Sequence, residues 1–176
     1  FANGDVIGHT ANSRAKIQCA QAVDKHLGQV MEAATAADYV VLVTADHGNL
    51  EEMITRDGTP HVAHTSNPVP FILIDPRSPN AISLREGGVL ADIAPTILQA
   101  LSISQPGAMN GVALAHDHDW NGPRRVLLII LDGWGIGKND HSNPIFLAQT
   151  PVWDSLLQHY PNTQLQTAGE AVGLQQ

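Results

Sequence analysis

The stretch that decides the fold is Tyr39-Val40-Val41-Leu42-Val43-Thr44-Ala45-Asp46-His47-Gly48-Asn49. Its first six residues are mostly β-branched and apolar with no polar alternation, the pattern of a parallel strand buried on both faces. The run stops abruptly in a polar cluster, so Asp46 and His47 fall at the carboxyl end of the strand. Open α/β sheets place their ligand sites there. Neighbouring side chains diverge at such an end, and one strand could feed ligands to two adjacent ions. A turn in which Asp46 caps while Gly48 and Asn49 take left-handed geometry would be written with the same letters.

Working outward, residues 11–36 carry Ile17, Ala20, Val23, Leu27, Val30 and Met31 at three- and four-residue steps, with Lys16, Asp24, Lys25 and Glu32 on a polar face. That is an amphipathic helix. Residues 68–75 (PVPFILID) predict a second strand and 75–80 a turn-rich loop. Residues 92–101 predict a helix that tolerates Pro95 only in its first turn. The segment 114–123 (LAHDHDWNGP) turns polar and loses its period; within it, 116–123 reads as a linker between a piece at 1–115 and another at 124–176. Beyond it, 126–131 predicts a third buried strand, Thr150-Pro151 the N-cap and first turn of a helix reaching 160, and 163–167 an edge strand. Strands alternating with helices imply an α/β fold, a mainly parallel sheet flanked by helices, with 39–44, 71–75 and 126–131 in one sheet. No internal repeat is visible.

Composition narrows the function. At 176 residues the chain supports one core-bearing domain. An apolar content of 43% with 15% charged residues is that of a globular chain. A net charge of −8 argues against nucleic acid and anionic membrane surfaces, which call for clustered Lys and Arg. Bound divalent cations would still admit an anionic substrate. A single cysteine, Cys19, leaves no internal disulfide and fits a reducing cytosol. No apolar run approaches the ~20 residues of a membrane span. The opening FANGDVIGHT is no signal peptide, and Phe1 reads as a cut or processed end.

Three further features join Asp46-His47. Asp5-x-x-x-His9 would put both side chains on one helical face. His61-Val62-Ala63-His64 offers one or two imidazoles, and Asp132 follows the apolar run LLIIL and precedes Gly133-Trp134-Gly135. Each has a plain structural reading: a surface ion pair, a polar loop, a capping aspartate. Together they supply two sets of oxygen and nitrogen ligands, which a pair of divalent cations handling a phosphate ester requires. Hard oxygens with imidazole and no thiolate suit manganese or zinc better than magnesium. If the pieces fold together, Asp132 is expected within about 5 Å of Asp46 and His47.

These motifs carry a resemblance. Through FANGDVIGHT, QAVDKHLGQV, VLVTADHGNLEEM, PHVAHTSNPVPFILID and LADIAPTILQALSI, residues 1–114 resemble the carboxy-terminal part of the cofactor-independent phosphoglycerate mutases, of the alkaline-phosphatase superfamily. Through VLLIILDGWGIG and NPIFLAQTPVWDSLLQHYPNTQLQTAGEAVGL, residues 126–176 resemble the amino-terminal part of the same family. The resemblance implies that Asp5, His9 and His64 ligate one metal and Asp46, His47 and Asp132 the other, with His61 nearby but not a principal ligand. It implies manganese, or magnesium, as the cofactor pair. It also implies interconversion of 3-phosphoglycerate and 2-phosphoglycerate in glycolysis through a phosphoserine, a small phosphorylated substrate, a cytoplasmic location and a monomer when complete.

The family order is reversed here. The resemblance places the nucleophilic serine beyond Gln176, and the inserted transferase domain with its substrate arginines has no match. Arg14, Arg56, Arg77, Arg85, Arg124 and Arg125 are therefore expected to be solvated surface residues, and His116-Asp117-His118-Asp119 a solvated joint rather than a metal site. The 176 residues alone are expected to be inactive as a mutase. The competing readings are a metal-dependent phosphohydrolase of the same superfamily and a non-catalytic metal-binding module.

Overall fold

The computed structural model describes residues 1–79 and 81–173. Asn80, the last residue of the loop expected at 75–80, and residues 174–176, the end of the stretch resembling the family, lie outside the described residues.

Helix α1 (Asn3–Gly8) leads into the long helix α2 (Ser13–Ala36). The Asn12 side chain accepts from the Ala15 backbone N–H at 3.0 Å and so caps α2. Cys19, Ala20, Val23, Leu27 and Met31, at steps of one, three or four, form its buried stripe. Strand β1 (Tyr39–Thr44) follows, then β2 (Val69–Ile74), the short strands β3 (Ser83–Leu84) and β4 (Gly88–Val89), and helix α3 (Ile93–Ala100), which a 3-10 turn at Leu90–Asp92 precedes. Pro95 falls in the first turn of α3, as the sequence requires. The chain continues through β5 (Ala115–His116), β6 (Arg125–Ile130), α4 (Pro144–Leu147), α5 (Pro151–His159) and β7 (Asn162–Gln166).

The main sheet has the order β4-β7-β2-β1-β6. Strand β1 pairs in parallel with β6, from Tyr39↔Arg125 to Thr44↔Ile130, and β4 pairs in parallel with β7. Strand β2 is antiparallel to both β1 and β7. Four strands thus run one way and β2 alone against them, which is the α/β class the sequence predicts with one reversed member. The reversal has a local cause. A parallel return needs a crossover to the far end of the sheet, usually a helix. Residues 45–68 contain none, and the bridges Gly48↔Thr65 and Ile54↔Pro60 fold them back at the end where β1 stops. The strands at 39–44 and 126–131 are direct neighbours, so both pieces of the chain contribute to one core.

Four local expectations change. Strand β6, expected to be buried, is an edge of the main sheet, with Ile130 exposed and Val126, Leu127 and Leu128 only half-buried. Strand β7 is not an edge: it lies between β2 and β4, with Leu165 wholly buried. Thr150 makes no side-chain cap on α5; the carboxylate of Asp24 on α2 does so instead, accepting from Trp153 N at 2.7 Å and Val152 N at 3.3 Å. Burial pushes the Asp24 carboxyl up, and these two donors only partly offset it.

Fourth, the segment after Leu114 is partly packed: His116 lies in β5, paired with β3, and the side chains of His118 and Trp120 are buried, while His116, Asp117, Asp119 and residues 121–123 stay exposed. His118 Nε2 lies 3.3 Å from Asp75, and Arg124, expected on the surface, is buried with Nη1 at 2.8 Å from the same carboxylate. Arg124 also reaches Asp38, which Arg77 grips from outside. A strand that starts at Arg125 brings the preceding residues under the sheet, and Asp75, stranded at the end of β2, draws in their positive charge.

Asp92 shows the same logic with a pH signature. It accepts from Val89 N at 2.9 Å, Val112 N at 2.8 Å and Arg85 Nη2 at 2.5 Å, tying residue 112 back to the start of α3. Burial pushes its carboxyl up, but the three donors outweigh burial and hold it below the ordinary aspartate value. Its contribution is therefore complete above the ordinary value and is lost as pH falls through the lower folded one. Asp92→Asn is expected to lose about 1.5–3 kcal/mol near pH 7. In urea unfolding, the gap to wild type should narrow as pH drops below about 4; a gap that stays constant into acid would show that the charge of Asp92 is not what matters.

Among the described residues, no helix is long and apolar enough to cross a membrane.

Candidate metal centre

The register of β1 and β6 sets the site. Thr44 pairs with Ile130, and Leu131 N donates to Thr44 O at 2.8 Å, one step past the ladder. Asp46 and Asp132, each two residues beyond the last pair, therefore leave the sheet side by side, and Asp46 Oδ1 accepts from Gly133 N at 3.4 Å. Gly133 turns the chain at φ +75°, and its carbonyl accepts from Asn49 N and Leu50 N, so the two loops stay joined.

Helix α1 brings the next candidate ligands. It lies so close to this turn that a Cβ on Gly4 would sit 2.4 Å from the Asp132 carbonyl oxygen. That approach puts Asp5 Oδ1 3.1 Å from His9 Nε2, 3.0 Å from His64 Nε2 and 4.0 Å from His47 Nε2. His9 Nε2 and His64 Nε2 are 3.2 Å apart, and the His47 and His64 rings stack at 3.8 Å. His47 Nε2 is also 3.6 Å from Asp46 Oδ2 and 3.5 Å from Asp132 Oδ1. All six residues singled out in the sequence come together at the carboxyl ends of β1 and β6. Among the described residues, two groups of three offer ligand atoms within 4.8 Å of one another: Asp5, His9 and His64, and Asp5, His47 and Asp132. Asp5 thus stands in both, with Asp46 alongside the second. His61 belongs to neither.

The histidines are oriented for ligation. His9 Nδ1 lies 2.7 Å from the Val62 carbonyl and His47 Nδ1 3.2 Å from the Gly48 carbonyl. A carbonyl only accepts, so each ring donates Nδ1–H, which leaves Nε2, the atom turned to the carboxylates, as the one that a neutral ring would offer to a cation. Electrostatics points the same way. Burial pushes the Asp132 carboxyl up, and the neighbouring carboxylates of Asp46 and Asp5 push it further. Burial also acts on Asp5, but an amide bond from Asn49 (2.9 Å) and the attraction of the three neighbouring histidines in their protonated form outweigh it and hold Asp5 below its usual value. Carboxylates this close, with imidazole lone pairs between them, form a receptor for positive charge. The residues present fit a pair of divalent cations.

Sequence reasoning missed three residues around this cluster. Asn49, read as a turn former, is fully buried and bonds Asp5. Lys16, read as part of a polar helix face, is buried and donates to the His61 carbonyl at 2.7 Å. Glu51 is buried two residues after Asn49. Nothing in their spacing marks them, since each bonds to residues distant in the chain.

A family profile described as the Metalloenzyme superfamily matches residues 1–105 and 124–176. Among curated proteins, the chain is 51% identical over 109 residues to a 2,3-bisphosphoglycerate-independent phosphoglycerate mutase of Flavobacterium johnsoniae, covering 62% of this chain and 21% of that protein. It is 49% identical over 120 residues to the protein of that name from Thermosynechococcus vestitus (65% and 23%), and 51% over 114 residues to that from Moorella thermoacetica (65% and 22%). The chain spans about a fifth of the length of these relatives.

Proposed function

Because the chain belongs to the Metalloenzyme superfamily, we propose that Asp5, His9 and His64 hold one divalent cation and that Asp46, His47 and Asp132 hold a second, with Asp5 near enough to serve both. The observation that carries this reading is the convergence of three imidazole Nε2 atoms on one oxygen of Asp5, at 3.0, 3.1 and 4.0 Å. Carboxylate oxygen with imidazole and no thiolate suits manganese or zinc better than magnesium, and the family resemblance favours manganese of the two. Such a pair supplies Lewis acidity to a phosphoryl group and to the oxygen that attacks or leaves it.

The protein's own part is to prepare the receptor. The Val62 and Gly48 carbonyls hold His9 and His47 in the tautomer that presents Nε2. Asn49 steadies the ionised form of Asp5.

The activity proposed for the whole protein is interconversion of 3-phosphoglycerate and 2-phosphoglycerate, as the names of the relatives suggest. Residues 1–115 would be the carboxy-terminal part of its phosphatase domain and 124–176 the amino-terminal part, joined through 116–123. A cytoplasmic monomer that binds neither nucleic acid nor membrane accords with a small phosphorylated substrate and the acidic composition.

Calorimetric titration of the 176-residue chain with manganese tests the metal reading, the expected result being two cations per chain; a chain that takes none would overturn it. Supplied with manganese and 3-phosphoglycerate, the same chain is expected to form no 2-phosphoglycerate, because no described residue is assigned as the nucleophile or as the holder of the glycerate. Chelator-sensitive formation of 2-phosphoglycerate by this chain would refute that division of labour.

A further inference from the structure

We propose that Glu51 is a positioning residue for the candidate metal centre, a buried carboxylate that latches together the three loops bearing its ligands. The inference rests on the two-cation reading of the site and deepens it.

Glu51 is 1% exposed, and both its oxygens are fully engaged. Oε2 accepts from Asn49 N at 2.8 Å and from Gly135 N at 3.1 Å. Oε1 accepts from the Thr65 hydroxyl and from Asn67 Nδ2, the latter at 2.9 Å. The four donors come from three separate segments. Asn49 lies two residues after His47, Thr65 follows His64, and Gly135 lies three residues after Asp132. Each donor is therefore a short, stiff step from a candidate ligand, and one carboxylate sets the spacing between all of them. The approach of Gly135 requires a glycine, since a Cβ there would lie 2.5 Å from the Glu51 carboxyl carbon.

The latch extends to the remaining ligands. Asn49, held by its backbone to Glu51, uses its side-chain amide on Asp5, in the helix that also leads to His9. Lys16, buried on α2, lies within electrostatic reach of Glu51 and pins the His61 carbonyl at the start of the 61–67 loop. A buried carboxylate with four donors and a buried ammonium is satisfied within the fold, so it needs no cation and is free to act as a fixed anchor. Outer partners of this kind orient ligands, and their loss typically weakens metal affinity about 10–100-fold.

Two variants test this. Glu51→Gln turns one acceptor oxygen into a donor that faces N–H groups; it is expected to weaken manganese about 10–100-fold at both groups and to broaden the electron-resonance lines of the bound ions. Thr65→Val removes a single hydroxyl without changing shape. It is expected to remain folded by circular dichroism and to weaken the Asp5–His9–His64 group several-fold while sparing the group with Asp132. A purely structural role would lower the melting temperature without moving either spectrum or affinity of the folded protein. The metal-free chain gives an independent readout: both variants should shift the imidazole proton signals of the stacked His47 and His64. Folded variants with wild-type affinities and unchanged imidazole signals would overturn the proposal. A wild-type chain that binds no manganese would overturn the two-cation reading instead, and the imidazole signals alone would then decide the latch.

Discussion

Asp5→Ala should remove both bound manganese ions, while His64→Ala and Asp132→Ala should each remove one. The unequal pattern follows from the position of one oxygen. Asp5 Oδ1 lies within 3.0–4.0 Å of three imidazole nitrogens and stands in both ligand groups, whereas His64 and Asp132 stand in one each. Losing an outer partner costs about 10–100-fold in affinity, so loss of a direct ligand should exceed roughly 100-fold at the group concerned. Two-site calorimetry, with electron resonance to count ions, checks the pattern. If Asp5→Ala spares the group with Asp132, the second ion is held by Asp46, His47 and Asp132 without help from Asp5.

Asp75→Ala should cost about 3–5 kcal/mol of folding stability, measured by urea unfolding. The carboxylate is 1% exposed and faces the buried guanidinium of Arg124, the imidazole of His118 and the Arg77 backbone N–H. Removing it leaves Arg124 buried without its main counter-charge. Pairing the change with Arg124→Met should recover much of the loss, because an apolar pair no longer carries an unbalanced charge. Ile74 pairs with Val41, so this cluster lies at the opposite end of β1 from Asp46. Manganese affinity of the folded Asp75→Ala chain should therefore stay near wild type. A loss below 1 kcal/mol would mean that water reaches Arg124 and that the segment 116–123 is looser than its packing indicates.

Most local elements and the residues of the candidate site were legible in the sequence, because both are short-range properties. The unbroken apolar run 39–44 is buried as its pattern predicts, whereas the similar run 126–131 lies at the sheet edge with Ile130 exposed, and the helical stripe from Cys19 to Met31 requires only a period. A polar cluster at the end of such a run can lie nowhere but at the rim of a sheet, which made Asp46, His47 and Asp132 visible. Pairing and direction are different. The reversal of β2, the interior place of β7 and the burial of His118 and Arg124 depend on which strands become neighbours, and an apolar run reads the same in either direction. The sharing of Asp5 between the two groups, the capping of α5 by Asp24 and the four donors on Glu51 were likewise decided only by tertiary structure. Each joins residues far apart in the chain, and hydrogen bonds of a few ångströms are set by the register of β1 on β6 and the approach of α1, which no local pattern records.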